Sequence, residues 1–173
     1  GLKWNLMHGL DDSLRVESPY GKSAEDMNDF YAAARGLMYN PIVNKAFAYS
    51  TQDSQRYGAN AFGNACLVAK QVLAANQGAR FVQITVGGWD MHQNIYAAGT
   101  LPTRARTLDN AVANLIGDLK ANGLLDKTLI VMAGEFGRTV GPLSAQGGRD
   151  HFAQQFAFFA GGGVRGGEKR ELL

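Results

Sequence analysis

Two apolar runs bracket one long amphipathic stretch, and this arrangement restricts the fold more than any other feature of the sequence. Residues 80–86 (RFVQITV) are rich in β-branched and apolar side chains and read as a strand ended by Gly87 and Gly88. Residues 103–122 read as a helix: Leu108, Val112, Leu115, Ile116 and Leu119 recur at i, i+4, i+7, i+8 and i+11, and Gly123 supplies a left-handed stop. Residues 128–133 (TLIVMA) form a continuous apolar run, the pattern of a strand covered on both faces. Strand, helix and strand at this spacing predict a right-handed βαβ unit with parallel strands. A third strand is predicted over 156–160, with its direction left open. The fold class is therefore α/β.

The first half has a different character. Seven of the 22 glycines lie in 1–86 and fifteen in 87–173, so tight, glycine-shaped loops belong to the second half. Ser23 is a plausible N-cap before Glu25 and Asp26, and Met27, Phe30, Tyr31, Ala34 and Met38 follow at helical spacing. Asn40-Pro41 ends that helix and opens another through Val43, Ala46 and Phe47. A further helix spans about 61–75, with Cys66, Ala69 and Leu73 on one face, and Asn76-Gln77-Gly78 stops it. At 173 residues the chain fits a single domain, 1–173, divided into a helical segment 1–78 and a βαβ-containing segment 79–173.

Composition excludes several functional classes. A hydrophobic content of 46% with 9 Phe, 6 Tyr and 2 Trp supports a packed core. Seventeen basic against fifteen acidic residues leave a net charge of +2, too balanced for a nucleic-acid binder. No apolar run approaches the roughly 18 residues of a membrane span. One cysteine, Cys66, forms neither an internal disulfide nor a thiolate metal cluster, and its helix face makes it a buried small hydrophobe. The N-terminus carries no signal-peptide pattern, as would a trimmed chain, so localisation stays open. His8 is isolated on a helical stretch and reads as a surface or partly packed residue.

The chemistry is concentrated in three loops. In open parallel α/β sheets, ligands bind beyond the carboxyl ends of the strands. After the first strand come Trp89, Asp90 and His92, and after the second come Glu135, Phe136 and Arg138. The third loop, Gly147 to His151, contains Arg149 and Asp150 and reaches the same edge if the last strand runs antiparallel. Asp90, His92, Glu135, Asp150 and His151 together have the composition of a site for Zn²⁺, Mn²⁺ or Fe²⁺. Arg138 and Arg149 could grip an anion in bidentate fashion or support the ligands. A metal beside an arginine suits phosphate or sulfate ester chemistry.

Plainer accounts exist for each part. Asp90-x-His92 fits a turn with local side-chain bonds. Glu135 and Arg138 fit a salt bridge at a strand end, and Asp150 fits a helix N-cap. Trp89 fits a loop anchor. Residues 161–166 (GGGVRG) match G-x-G-x-x-G after a strand, but Leu173 follows too soon for the helix and acidic residue of dinucleotide binding, so a sharp turn is the simpler reading.

The stretches from Gly88 to Asn94, from Glu135 to Thr139 and from Gly148 to Phe152 resemble the signature loops of a bacterial family of uncharacterised proteins. That family is grouped with the alkaline phosphatase and sulfatase superfamily, and many of its members carry twin-arginine export signals. Residues 57–63, 124–129 and 161–167 share the likeness, which spans most of the chain in order. The resemblance implies a mainly parallel sheet flanked by helices, with metal ligands on loops at one sheet edge. It implies an exported protein that hydrolyses small anionic esters with a divalent metal (zinc, manganese, iron, magnesium or calcium). Asp90, His92 and His151 match the Asp, His and later His of one metal site, and Glu135 falls where a carboxylate of a second site is expected. Phe136 stands where other superfamily members place a metal-binding His, and Met91 and Val140 replace a more usual Thr and Pro. The upstream half offers no strand followed by a Ser, Thr or Cys nucleophile, and Cys66 is mid-helix. The chain thus looks like the C-terminal portion of a longer protein. A non-catalytic metal- or anion-binding module and a purely structural domain are the rival readings.

Overall fold

The structure, a computed structural model, describes residues 22–165 together with residues 2, 3, 5, 6, 9 and 10. The expectation for His8 lies outside the described residues. The chain divides into two compact units, Gly1–Asn44 and Lys45–Leu173. Helix α1 (Lys22–Met38) belongs to the first unit. It already includes Lys22, which places Ser23 inside the helix and not at its cap. The apolar stripe of α1 is exposed at Met27, Phe30 and Met38.

Helix α2 (Pro41–Ala46) begins with proline, whose missing N–H costs nothing in a first turn, and Asn40 Oδ1 accepts from the Ile42 N–H at 2.9 Å. Helix α3 (Thr51–Arg56) is capped by Ser50, which accepts from the Asp53 N–H. Helix α4 (Ala61–Ala75) starts at Asn60, whose side chain accepts from the Gly63 N–H, and stops at left-handed Asn76. Helix α5 (Leu101–Ala121) ends in a Schellman arrangement. There the Leu124 N–H donates to Leu119 O and the Gly123 N–H to Lys120 O, with Gly123 at a φ of 66°.

Helices α4 and α5 make the core of the second unit. Cys66 and Leu67 from α4 meet Ala111, Leu115 and Leu119 from α5, with Tyr57 fully buried beside them. The deepest seam of α5 is thus 111-115-119, flanked by the half-buried Leu108, Val112 and Ile116. Burial also pushes the Cys66 thiol up to about 11, as expected of an inert small hydrophobe. The Tyr57 hydroxyl donates to Asp118 Oδ2 at 2.8 Å, and the same carboxylate receives Arg56 at 2.5 Å and Lys70 at 3.6 Å. This polar clasp joins the end of α3 to α5.

The sheets differ from the expected βαβ unit. Strand β1 (Leu129–Ala133) pairs antiparallel with β4 (Ala157–Gly161), and β2 (Gly137–Arg138) pairs antiparallel with β3 (His151–Phe152). No parallel sheet occurs among the described residues. Residues 80–86 are not a strand but an unpaired segment whose Ile84 packs on the helical core. Apolar, β-branched composition favours extended backbone, but a strand also needs a hydrogen-bonding neighbour, and it has none among the described residues. Strand β1 is correspondingly open, with Leu129 and Val131 exposed where coverage of both faces was expected. The third predicted strand forms one residue later than expected, and its direction is settled as antiparallel. After it, the Gly162 N–H donates to Thr128 O and Val164 closes back on Gly161, a tight turn in place of a nucleotide loop. No described helix is long and apolar enough to cross a membrane.

Candidate metal centre

Antiparallel pairing is what gathers the three loops. Beyond Ala133 at the end of β1, the chain passes Glu135 and Phe136 and enters β2. Strand β3 runs back beside it, with Arg138 opposite His151 and Gly137 opposite Phe152. The first loop is laced to the third through backbone bonds: Arg149 N–H to Met91 O at 3.1 Å, Asn94 N–H to Gln146 O at 3.0 Å and Ile95 N–H to Gly147 O at 2.9 Å. Gly148 is buried against the His92 backbone, where an added Cβ would overlap the His92 carbonyl. Only glycine permits that approach.

The geometry centres on one oxygen. Asp90 Oδ1 stands 2.6 Å from Arg138 Nη2, 2.8 Å from His92 Nε2 and 3.3 Å from His151 Nε2. One donor atom each from Asp90, His92 and His151 lies within 4.8 Å of the other two. The opposite nitrogen of His92, Nδ1, is 2.9 Å from Asp150 Oδ1. The Phe136 ring lies 4.2 Å from the His151 ring, centroid to centroid, and the His92 and His151 rings are 5.0 Å apart. Phe136 thus fills space against the His151 ring.

These contacts set the protonation states. The Arg138 guanidinium, then His151, hold the Asp90 carboxyl well below its ordinary value, at about 2. The Asp150 carboxylate raises the His92 imidazole above its ordinary value, partly opposed by desolvation and assisted by Asp90. One nitrogen of the His92 ring faces each carboxylate, which widens the pH range over which its imidazolium form persists. Arg138 Nη1 lies 3.5 Å from His92 Nε2, which accepts from it when that nitrogen carries no proton.

The seven residues singled out in the sequence fall into distinct positions. Asp90, His92 and His151 converge, and Arg138 joins them through Asp90 and not through Glu135. Glu135 is exposed and outside the converging group. Asp150 precedes a strand and not a helix, so it is no N-cap; its carboxylate lies behind the His92 ring. Arg149 is committed elsewhere: it donates to Thr139 O at 2.6 Å, to Gly141 O at 3.3 Å and to the Tyr96 hydroxyl at 3.3–3.4 Å. It clamps the loops together and does not present a free fork to an anion. Trp89 anchors its loop by donating Nε1–H to Val86 O at 3.1 Å. Sequence reasoning did not single out Tyr96, Thr139 or Gly148. The glycine pair 147–148 was the available signal for the close approach, whereas nothing local marks Tyr96 as the partner of Arg149.

The donor set suits a cation. Two imidazoles and one carboxylate are ordinary ligands for Zn²⁺, Mn²⁺ or Fe²⁺. Ligand atoms about 2.1 Å from a tetrahedral ion stand about 3.4 Å apart; here His151 Nε2 is 3.3 Å from Asp90 Oδ1, His92 Nε2 is closer at 2.8 Å, and all three donors lie within 4.8 Å of one another.

Comparison with known proteins gives a family without an assigned activity. A family model described as "Protein of unknown function (DUF1501)" matches residues 3–169. No curated protein and no solved structure matches the chain.

Proposed function

We propose that this chain, which belongs to the DUF1501 family, binds a divalent metal through Asp90, His92 and His151 and serves the hydrolysis of phosphate or sulfate esters. The observation that carries the reading is the meeting of those three donor groups, from loops about sixty residues apart, around Asp90 Oδ1. A bound cation would lower the pKa of a water and offset charge developing on the ester. The chain's own residues supply the remainder. Asp90 contributes a carboxylate that stays ionised across the neutral range. Arg138, the cation nearest that carboxylate, is positioned to exchange its bond with Asp90 for bonds to an anionic substrate. Phe136 limits the room around His151. Kinship with the alkaline phosphatase and sulfatase superfamily and an exported location belong to the same proposal and rest on the sequence resemblance.

A second reading, a metal- or anion-binding module without turnover, is favoured by two observations. The Thr139 and Ser144 hydroxyls serve loop structure: Thr139 Oγ1 accepts from the Asp150 N–H and Ser144 Oγ from the Gly148 N–H. Phe136 packs on the His151 ring, at a position where the resemblance implies a further histidine ligand. Titration of the protein with Zn²⁺ and Mn²⁺, followed by assays on nitrophenyl phosphate and nitrophenyl sulfate, separates the readings. Saturable binding lost in Asp90→Ala and His92→Ala, with metal-dependent ester cleavage, supports the hydrolase. Binding without cleavage supports the module. Absence of binding ends both.

A further inference from the structure

Asp150 and His151 are adjacent in extended backbone, so their side chains leave the chain on opposite sides. The geometry uses both directions. His151 Nε2 points to Asp90 Oδ1 at 3.3 Å, on the side where His92 presents Nε2. Asp150 Oδ1 meets Nδ1 on the other side of the same His92 ring, at 2.9 Å. An imidazole can offer only one nitrogen to a given cation, and the group bonded to the other nitrogen selects the tautomer and fixes the ring. Asp150 itself is delivered by backbone. The Thr139 N–H donates to Asp150 O at 3.0 Å, the Asp150 N–H donates to Thr139 Oγ1 at 3.2 Å, and the Arg149 N–H next to it binds Met91 O. Its carboxylate has His92 as its hydrogen-bonding partner among the described residues.

We infer that Asp150 is not a metal ligand but the positioning residue of the centre. It accepts the Nδ1–H of His92 and holds that ring so that the Nε2 lone pair faces the space shared with Asp90 and His151. The inference rests on the metal reading given above and refines it: three residues bind, and a fourth, one bond behind, sets the aim of one of them. Arrangements of this kind are worth about 10–100-fold in metal affinity.

The test is Zn²⁺ titration of the full chain as wild type, Asp150→Asn, Asp150→Ala and His92→Ala, with ¹⁵N spectra of the histidine rings. The wild type should bind Zn²⁺ with His92 metallated at Nε2 and protonated at Nδ1. Asp150→Ala should bind about 10–100-fold more weakly and lose the single His92 tautomer. Asp150→Asn keeps an acceptor oxygen and should fall between them. Unchanged affinity and an unchanged His92 spectrum in Asp150→Ala would overturn the positioning role and leave the metal reading intact. Loss of binding in Asp150→Asn as complete as in His92→Ala would show a ligand, and would overturn it too. Failure of the wild type to bind would overturn the metal reading and this inference together. Should Asp150→Ala not fold, the Asp150→Asn affinity and ring spectrum decide the matter.

Discussion

Asp90 and Asp118 are both carboxylates beside an arginine, yet they do different work. Asp118 is shielded and shared among Tyr57, Arg56 and Lys70. Removing it in Asp118→Ala strands the buried Tyr57 hydroxyl and two cations, and is expected to cost about 2 kcal/mol, limited by the exposure of Arg56. Arg56 first, and then Tyr57, hold its carboxyl below the ordinary 3.8 against the opposing effect of burial. A depressed folded-state value means its contribution is complete above that figure and disappears as pH falls through the lower, folded-state one. Urea unfolding of wild type and Asp118→Asn should therefore differ at pH 7 and converge as the solution is acidified below pH 4. Asp90 is exposed, and its significance is electrostatic and local. Arg138 and a metal ion compete for its oxygen, so Arg138→Met is expected to tighten Zn²⁺ binding several-fold while impairing capture of anions, each measurable by titration calorimetry. His92 introduces a second pH dependence. Its raised value means a proton competes with a metal up to a higher pH than in a free histidine, so metal affinity should rise as pH climbs through that raised value. In the metal-free protein the paired imidazolium supports the loops at acid pH, and that support is lost as pH climbs through the raised value.

Glycines decide how closely the elements approach. A methyl group at Gly137 would overlap the Gln154 carbonyl, and one at Gly63 would overlap the Tyr57 carbonyl. Gly137→Ala is expected to part β2 from β3 and to weaken metal binding while far-UV circular dichroism keeps the helical signal. Gly63→Ala instead strains the first turn of α4 over the polar clasp and should lower stability by about 1–3 kcal/mol in chemical denaturation, with metal affinity preserved. Four of the helices were legible in the sequence because their signals are local: Pro41 at a first turn, Asn76 and Gly123 at left-handed stops, and the 108–119 repeat on one face; the short, polar α3 has no apolar repeat to announce it and was not expected. The sheet was not. The 80–86 segment has strand composition, but pairing is decided by what lies alongside, and β1 is joined by β4 in place of it. The site was half legible for a related reason. Asp90, His92 and His151 are named by chemistry, whereas the roles of Asp150 and Arg149 depend on what their side chains reach: the back of His92 and the Tyr96 hydroxyl.

Across the second unit, apolar surface is distributed unevenly. The helical core is closed around Leu67 and Leu119, while Phe81, Phe156, Phe159, Leu129 and Val131 are exposed. Strand β1 has β4 as its hydrogen-bonded neighbour among the described residues. Exposed strands of this kind favour edge-to-edge association. Sedimentation velocity should show concentration-dependent self-association, reduced by Val131→Lys. The closed core has a consequence of its own. Cys66 is the single thiol of the sequence and is sealed between α4 and α5, so an alkylating reagent can mark it only in molecules whose helices have come apart. The rate of that irreversible labelling would serve as a clock for the opening of the interior, read by mass spectrometry as the growing fraction of chains that carry the adduct, and would tell whether cation capture at the loops slows it.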